Sequence, residues 1–178
     1  MTESQAPSAP SCRTIILMGV CGCGKTEVGK RVAAALGGVF EDADDFHPEV
    51  NKAKMRAGIP LTDEDRWPWY ARLRARVEEM RRNGTGVYVL ACSALKAAYR
   101  DRLRATDAPD VIRFVHLKGP RDLIFSRMSA RQGHYMPASL LDSQFAILEE
   151  TPDLLNVSIE PPVETVAQEV LRRVGRGA

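Results

Sequence analysis

No apolar run in the 178-residue chain approaches the roughly 20 residues that a membrane-spanning helix requires, so no membrane association is expected. Charge of one sign is also missing. The 25 basic and 23 acidic residues leave a net charge of +2, too little for the electrostatic footprint of a nucleic-acid-binding protein, so no nucleic-acid partner is expected. Cysteine is scarce. Cys12, Cys21, Cys23 and Cys92 include no C-x-x-C pair, and no histidine cluster accompanies them, which excludes a zinc set of ordinary spacing and leaves free thiols as the expected state. The leader Met1 to Ser11, MTESQAPSAPS, has no signal-peptide apolar core. Small, polar and proline-containing, 1–11 reads as a disordered tail, and a cytoplasmic location is expected. No internal repeat is visible, and 12–178 has the length of a single domain.

What the chain does have is GVCGCGKT, Gly19 to Thr26, which fits G-x-x-x-x-G-K-[ST] and reads as a phosphate-binding loop. Glycines let successive backbone N–H groups curl around phosphate oxygens, and the following helix adds the positive end of its dipole. The backbone of Gly19, Val20, Cys21, Gly22, Cys23 and Gly24 is therefore the expected cradle. Lys25 is placed to face the β- and γ-phosphates as a point charge, and the Thr26 hydroxyl is a hard oxygen ligand suited to Mg²⁺. Both flanks agree: Arg13 to Met18 reads as a buried strand, and Val28, Val32, Ala35 and Leu36 form an apolar stripe at helical spacing. A dinucleotide-binding G-x-G-x-x-G fails, because Gly22-Cys23-Gly24 is followed by Lys25-Thr26-Glu27.

Val39 to Asp42 reads as a second short strand ending in acid, with Asp42, Asp44 and Asp45 in EDADDFHP. Carboxylates at the carboxyl end of a strand hold Mg²⁺ or accept a proton from a hydroxyl; a solvated acidic turn is the alternative, and the string leaves both open. His47 to Trp69 is polar and broken by Pro and Gly, with two helical turns at most before Pro60. Thr62 or Asp63 is the expected cap of a helix that buries Trp69, Leu73, Val77 and Met80, its many arginines facing solvent. Val87 to Cys92 is the expected central strand, after which Ser93 is a candidate cap. Lys96 and Arg100 either face an anion or are solvated. Val111 to Leu117 is a fourth strand, and Arg127 and Arg131 share a face of the helix that follows, before a break at Gly133. That arrangement suits a phosphate-binding lid or an ordinary basic face. A helix through Leu141, Phe145 and Leu148, a strand over Leu154 to Ile159 and an amphipathic last helix complete the chain. The fold class is α/β: a P-loop kinase three-layer sandwich, a five-stranded parallel sheet with helices on both faces and a small lid.

Taken in order, LMGVCGCGKT, DADDFHP, Asn51, Lys54-Met55, Gly58 to Leu61, Asp63 to Arg66, Pro68-Trp69, CSALKAAYRDRLR, HLKG, SRMSARQGHYMP and Gln144-Phe145 resemble the gluconokinases of the shikimate-kinase-like and nucleotide-kinase-like P-loop group. The resemblance covers nearly the whole chain after the tail. It implies transfer of the ATP γ-phosphoryl group to the 6-hydroxyl of D-gluconate with Mg²⁺, by a cytoplasmic homodimer. By the same resemblance Asp42 and Thr26 are metal-side residues, and Asp44 binds the acceptor hydroxyl and serves as its base. His47, Lys54 and Arg66, in an insertion over about 43–82, line the sugar-acid site together with Ser93 and Gln144. Arg127 and Arg131 are arginines of a lid over about 121–138. Cys21 and Cys23 depart from a family pattern that often has Ser, which implies sensitivity to oxidation rather than loss of function. Another small-molecule kinase of this fold is the alternative acceptor reading. A nucleotide-dependent switch is disfavoured, since Asn51-Lys52-Ala53-Lys54 lacks the last residue of an Asn-Lys-x-Asp guanine reader.

Overall fold

The computed structural model describes residues 14–83, 86–107, 111–130 and 138–175. Its five strands are β1 (Thr14–Met18), β2 (Val39–Asp42), β3 (Tyr88–Ala91), β4 (Ile112–Lys118) and β5 (Leu155–Ser158). All pair in parallel in the order β2-β3-β1-β4-β5. The helices are α1 (Lys25–Ala35), α2 (Glu49–Arg56), α3 (Asp63–Arg82), α4 (Ala97–Arg104), α5 (Arg121–Ser129), α6 (Ala138–Ile147) and α7 (Val163–Gly175). Crossovers cover both faces of the sheet, so β1, in its middle, is buried at every residue.

The two faces divide the core by the period-two rule of strands. Ile15, Leu17, Val89, Val115 and Leu117 point to the side covered by α1 and α7, where Val28, Val32, Val166 and Val170 meet them. Ile16, Met18, Tyr88, Leu90, Ile112 and Phe114 point to the other, against Trp69, Leu73 and Val77 of α3 and Tyr99 and Leu103 of α4. The long α3 starts on a capping box. Thr62 Oγ1 accepts from Asp65 N–H and Asp65 Oδ2 accepts from Thr62 N–H, which satisfies two otherwise orphaned donors.

Three expectations fail, each for a tertiary reason. Three arginines of α3 are not simply solvated, while Arg72 and Arg82 are exposed: Arg76 forms a fork on Glu41 at 2.6 and 2.9 Å, and Arg74 and Arg81 converge on Asp107. Ser93 caps nothing. Residues 92–96 form an irregular loop with Ala94 at φ 42°, and α4 begins only at Ala97 without a side-chain cap. Arg100 faces neither an anion nor water. It is 1 % exposed and donates to the carbonyls of Ala94, Leu95 and Glu149 and to Thr151 Oγ1 at 2.8–3.1 Å.

Arg100 therefore ties the loop after β3 to the segment after α6, and Gly19 N–H donates to Ser93 O at 3.3 Å from the phosphate loop. Arg100→Ala would remove the guanidinium donors from Ala94 O, Leu95 O, Glu149 O and Thr151 Oγ1, the first two of them buried, with only Leu95 O keeping a second donor, the Glu149 N–H. The expected loss is about 3 kcal/mol in urea denaturation, with Arg100→Lys restoring only part of it because an ammonium does not span the same carbonyls.

Candidate active site

Because β1 has β3 on one side and β4 on the other, the loops after β1, β2 and β3 open on one edge of the sheet, where open α/β sheets bind ligands. The loop after β1 is Gly19–Gly24. Its tight path depends on missing side chains: Gly19 has φ 142°, and a Cβ there would lie 2.8 Å from Cys23 Sγ and 2.9 Å from Leu117 O. Gly22, at φ 82°, is overlaid by Met128 of α5, whose Cγ would be 2.3 Å from a Cβ. Thus α5 rests directly on the loop.

Lys25 Nζ folds back over the loop and donates to Gly19 O and Val20 O, both at 3.0 Å. Thr26 Oγ1 donates to Asp42 Oδ2 at 3.0 Å, joining the start of α1 to the end of β2. The other oxygen of Asp42 accepts from Asp44 N–H at 3.1 Å and caps a 3-10 turn over Ala43–Phe46. One carboxylate thereby aligns the hydroxyl of the phosphate loop with the backbone that carries Asp44. Thr26 and Asp42 are hard oxygen donors, and among the described residues no group of three or more acidic, His or Cys side chains forms a closed metal cage. The pair fits a divalent cation that takes its remaining ligands from phosphate and water, as Mg²⁺ does.

Asp44 stands exposed on the wall of the crevice. Its pKa is raised above the ordinary carboxylate range, first by withdrawal from bulk water between the crevice walls and then by the neighbouring charge of Asp42, with Lys25 pulling the other way. Behind it His47 is 5 % exposed and stacked on Trp69, ring centroids 4.0 Å apart. Burial, with Arg66 and Lys52, pushes His47 down to about 4, so the ring is neutral at physiological pH.

The remaining predicted residues divide. Lys54 is near the wall but committed, with Nζ at 2.7 and 2.8 Å from the two oxygens of Asp65. Arg66 donates to Leu61 O at 3.3 Å, its guanidinium 5.8 Å from the Tyr99 ring centroid. Gln144 of α6 is not on the acidic wall: its Oε1 accepts from Cys21 N–H at 2.6 Å, on the phosphate loop itself. Arg127 donates to Ile159 O at 2.8 Å, just past β5, one residue before the Met128 that covers Gly22. Arg131 lies outside the described residues, as do 1–13 and the 131–137 part of the predicted lid. Cys23 is buried and Cys21 partly so, while burial pushes the Cys92 thiol up to about 12.

Residues 15–151 match a family model described as an AAA domain. Over 175 residues the chain is 42 % identical to the gluconokinase of Gluconobacter oxydans, with 97 % of each chain covered. The chain belongs to the gluconokinase family. A crystal structure of a gluconokinase from Sinorhizobium meliloti agrees, with 40 % identity, TM-score 0.81 and 94 % and 93 % of the two chains covered. A shikimate kinase from Acinetobacter baumannii in complex with shikimate shares the fold alone, at 19 % identity and TM-score 0.53 over 93 % of this chain and 94 % of that one.

In this gluconokinase-family site, two side chains that the motifs contain had been given no role in the site. Asn51, 1 % exposed, sits between His47 and the backbone of Asp65; Trp69 does more than fill the core, donating from Nε1 to Ala43 O at 2.8 Å. The available signal was that His47 and Asn51 stand four residues apart across the start of α2. The buried neutral His47 also predicts acid sensitivity. Its folded pKa is below the unfolded 6.5, so the unfolded chain binds the extra proton and stability falls as pH drops from about 6.5 to about 4. The expected loss is on the order of 2 kcal/mol. Urea denaturation at pH 7 and pH 5 measures it, and His47→Gln should flatten that window.

Proposed function

We propose that this chain transfers the γ-phosphoryl group of ATP to the 6-hydroxyl of D-gluconate, giving 6-phosphogluconate and ADP. The observation that carries the reading is the continuous link Lys25–Thr26–Asp42–Asp44, which sets a phosphate-loop hydroxyl 3.0 Å from an acidic strand end and an open carboxylate two residues beyond it. Backbone amides of the loop bind the β- and γ-phosphates, and Lys25 leaves the carbonyls of Gly19 and Val20 to neutralise charge on the transferred group. Thr26 and Asp42 would hold Mg²⁺, which would supply charge neutralisation to the phosphates. Asp44 accepts a hydrogen bond from the acceptor hydroxyl and aims it; a loose transition state asks for little deprotonation before transfer.

A sugar acid is a polyhydroxylated monoanion and needs cations as well as hydroxyl partners. Arg66, Lys54 and His47, from the insertion over about 43–82, and the loop at Ser93 line the side of the site that supplies them. Lys54 is shared with Asp65 and therefore contributes orientation more than net charge. We assign Gln144 to the phosphate side of the site, where its contact with Cys21 N–H puts it. Arg127 and Arg131 belong to a lid over about 121–138 that covers the nucleotide. A homodimer in the cytoplasm completes the reading. A polyanion-binding role is disfavoured by Arg74, Arg76 and Arg81 of α3, which are paired with Glu41, Glu78, Glu79 and Asp107 inside the chain.

The test is ADP release with Mg²⁺-ATP over a panel of sugar acids, shikimate and nucleoside monophosphates. Gluconate should be the preferred acceptor, and chelation of divalent cations should stop the reaction. Phosphorylation of shikimate or a nucleotide, with gluconate untouched, would overturn the assignment.

A further inference from the structure

We propose that Asn51 and His47 are positioning residues for Asp44: Asn51 selects the ring tautomer of His47, and the resulting Nε2–H faces and orients the carboxylate. The inference rests on reading Asp44 as the partner of the acceptor hydroxyl. Its chain of reasoning begins at a backbone atom. The carbonyl of Asp65 can only accept, so the Asn51 side-chain atom 2.9 Å from it is the amide nitrogen Nδ2. That same nitrogen lies 3.4 Å from His47 Nδ1. An amide nitrogen only donates, hence Nδ1 carries the lone pair and the proton of the neutral ring is on Nε2. Nε2 lies 3.8 Å from Asp44 Oδ1.

The surroundings remove the freedom to do otherwise. Asn51 and His47 are 1 % and 5 % exposed, and the ring is stacked on Trp69 with 15° between planes. Trp69 in turn holds Ala43 O, the residue before Asp44, at 2.8 Å. One indole therefore fixes both the plane of the imidazole and the backbone that launches the carboxylate. The 3.8 Å gap exceeds a hydrogen bond and closes with about 1 Å of movement of the exposed Asp44 side chain. Once Oδ1 receives the Nε2–H, the second oxygen is left to accept from an alcohol. The opposite tautomer would set a nitrogen lone pair against the carboxylate and drive it off the acceptor. This is the logic by which an orienting group acts on a reacting one through a histidine, with Asn51 supplying the donor end.

The tautomer is readable directly. Long-range ¹H–¹⁵N correlation of the imidazole nitrogens, in a chain with three histidines, should show His47 as Nε2–H, assigned by loss of the signal in His47→Gln. An Nδ1–H pattern overturns the proposal, whatever the acceptor proves to be, because this measurement needs no substrate. Asn51→Asp replaces the donor by an acceptor at equal size. It should invert the tautomer and lower kcat for gluconate about tenfold to a hundredfold, with KM for ATP unchanged within about twofold. An unchanged kcat, or an equal fall at unchanged tautomer, would also sink it. His47→Gln, which keeps a side-chain NH₂ near the Nε2 position, should retain more activity than His47→Leu. If Asn51→Asp does not fold, the wild-type tautomer and the Gln-against-Leu comparison decide.

Discussion

Lys25→Ala is expected to lower kcat by about 10³-fold while leaving the fold intact. The side chain does little for stability. Its hydrogen bonds run to Gly19 O and Val20 O at 3.0 Å and to Cys23 Sγ at 3.9 Å, all neutral acceptors, and none is to a carboxylate that its removal would leave unpaired. A change within about 1 kcal/mol in denaturation is expected. Catalysis is different. Charge on the transferred phosphoryl group is spread over three oxygens at the moment of transfer, and a mobile ammonium meets that charge better than it meets the resting triphosphate. The loss should therefore fall mainly on kcat. ATP affinity, held largely by the backbone amides that the variant keeps, should weaken by about tenfold or less. Steady-state kinetics together with equilibrium binding of a non-hydrolysable ATP analogue separates the two. A loss confined to nucleotide affinity would reassign Lys25 to ground-state binding.

That Lys25 stood out in the sequence, and Arg100 did not, has a physical reason. A phosphate loop is local: its chemistry lies in contiguous residues, and the apolar run before it and the stripe after it state the strand and helix that frame it. The strands were legible for the same reason, since each sits in a short apolar run, and even the edge strand β2 announced itself by Val39-Phe40 ahead of its acidic end. So was α3, whose stripe of Trp69, Leu73, Val77 and Met80 is buried as its spacing requires. Arg100 looks like any helical arginine until Glu149 O and Thr151 Oγ1, 49 and 51 residues away, are brought to it. No periodicity encodes a guanidinium satisfied by carbonyls.

The site shows the same division. Thr26, Asp42 and Asp44 were legible as chemistry because each follows a strand, and strand ends converge in a parallel sheet. Gln144 was read onto the sugar-acid side by resemblance alone, because its surroundings depend on how α6 packs against the phosphate loop. Its contact with Cys21 N–H, across 123 residues, depends on tertiary geometry that spacing does not specify. Lys54 was read as a cation for the sugar acid, and its pairing went unseen because Asp65 stands 11 residues on, where it serves the start of α3 as well as Lys54. Asp65 does both: its backbone N–H and a carboxylate oxygen form the capping box, and both carboxylate oxygens hold Lys54. A residue with two local duties is where sequence reading stops at the first.

The second large effect is expected at Asp44, and it should run opposite in activity and in stability. Asp44→Asn keeps the size of the side chain and the backbone N–H that Asp42 Oδ1 accepts at 3.1 Å, so the 3-10 turn and the Thr26–Asp42 link survive. What changes is charge. The carboxylate has its pKa raised in the fold, by desolvation and by Asp42, so its ionised form adds nothing to stability at neutral pH; with the side chain 79 % exposed solvent screens the effect, and its removal should leave stability unchanged or slightly raised. The acceptor hydroxyl loses the partner that accepts its proton and aims it, a contribution of about 10²- to 10⁴-fold. kcat for gluconate should fall by that factor, while ATP binding, which repulsion from Asp44 opposes, should hold or tighten. The pairing of outcomes is the point of the measurement, because a merely structural aspartate would lose stability along with activity. A fall of less than tenfold would mean that the alcohol is aimed by another group, and the carboxylate on the crevice wall would then have to be read as part of the metal side with Asp42.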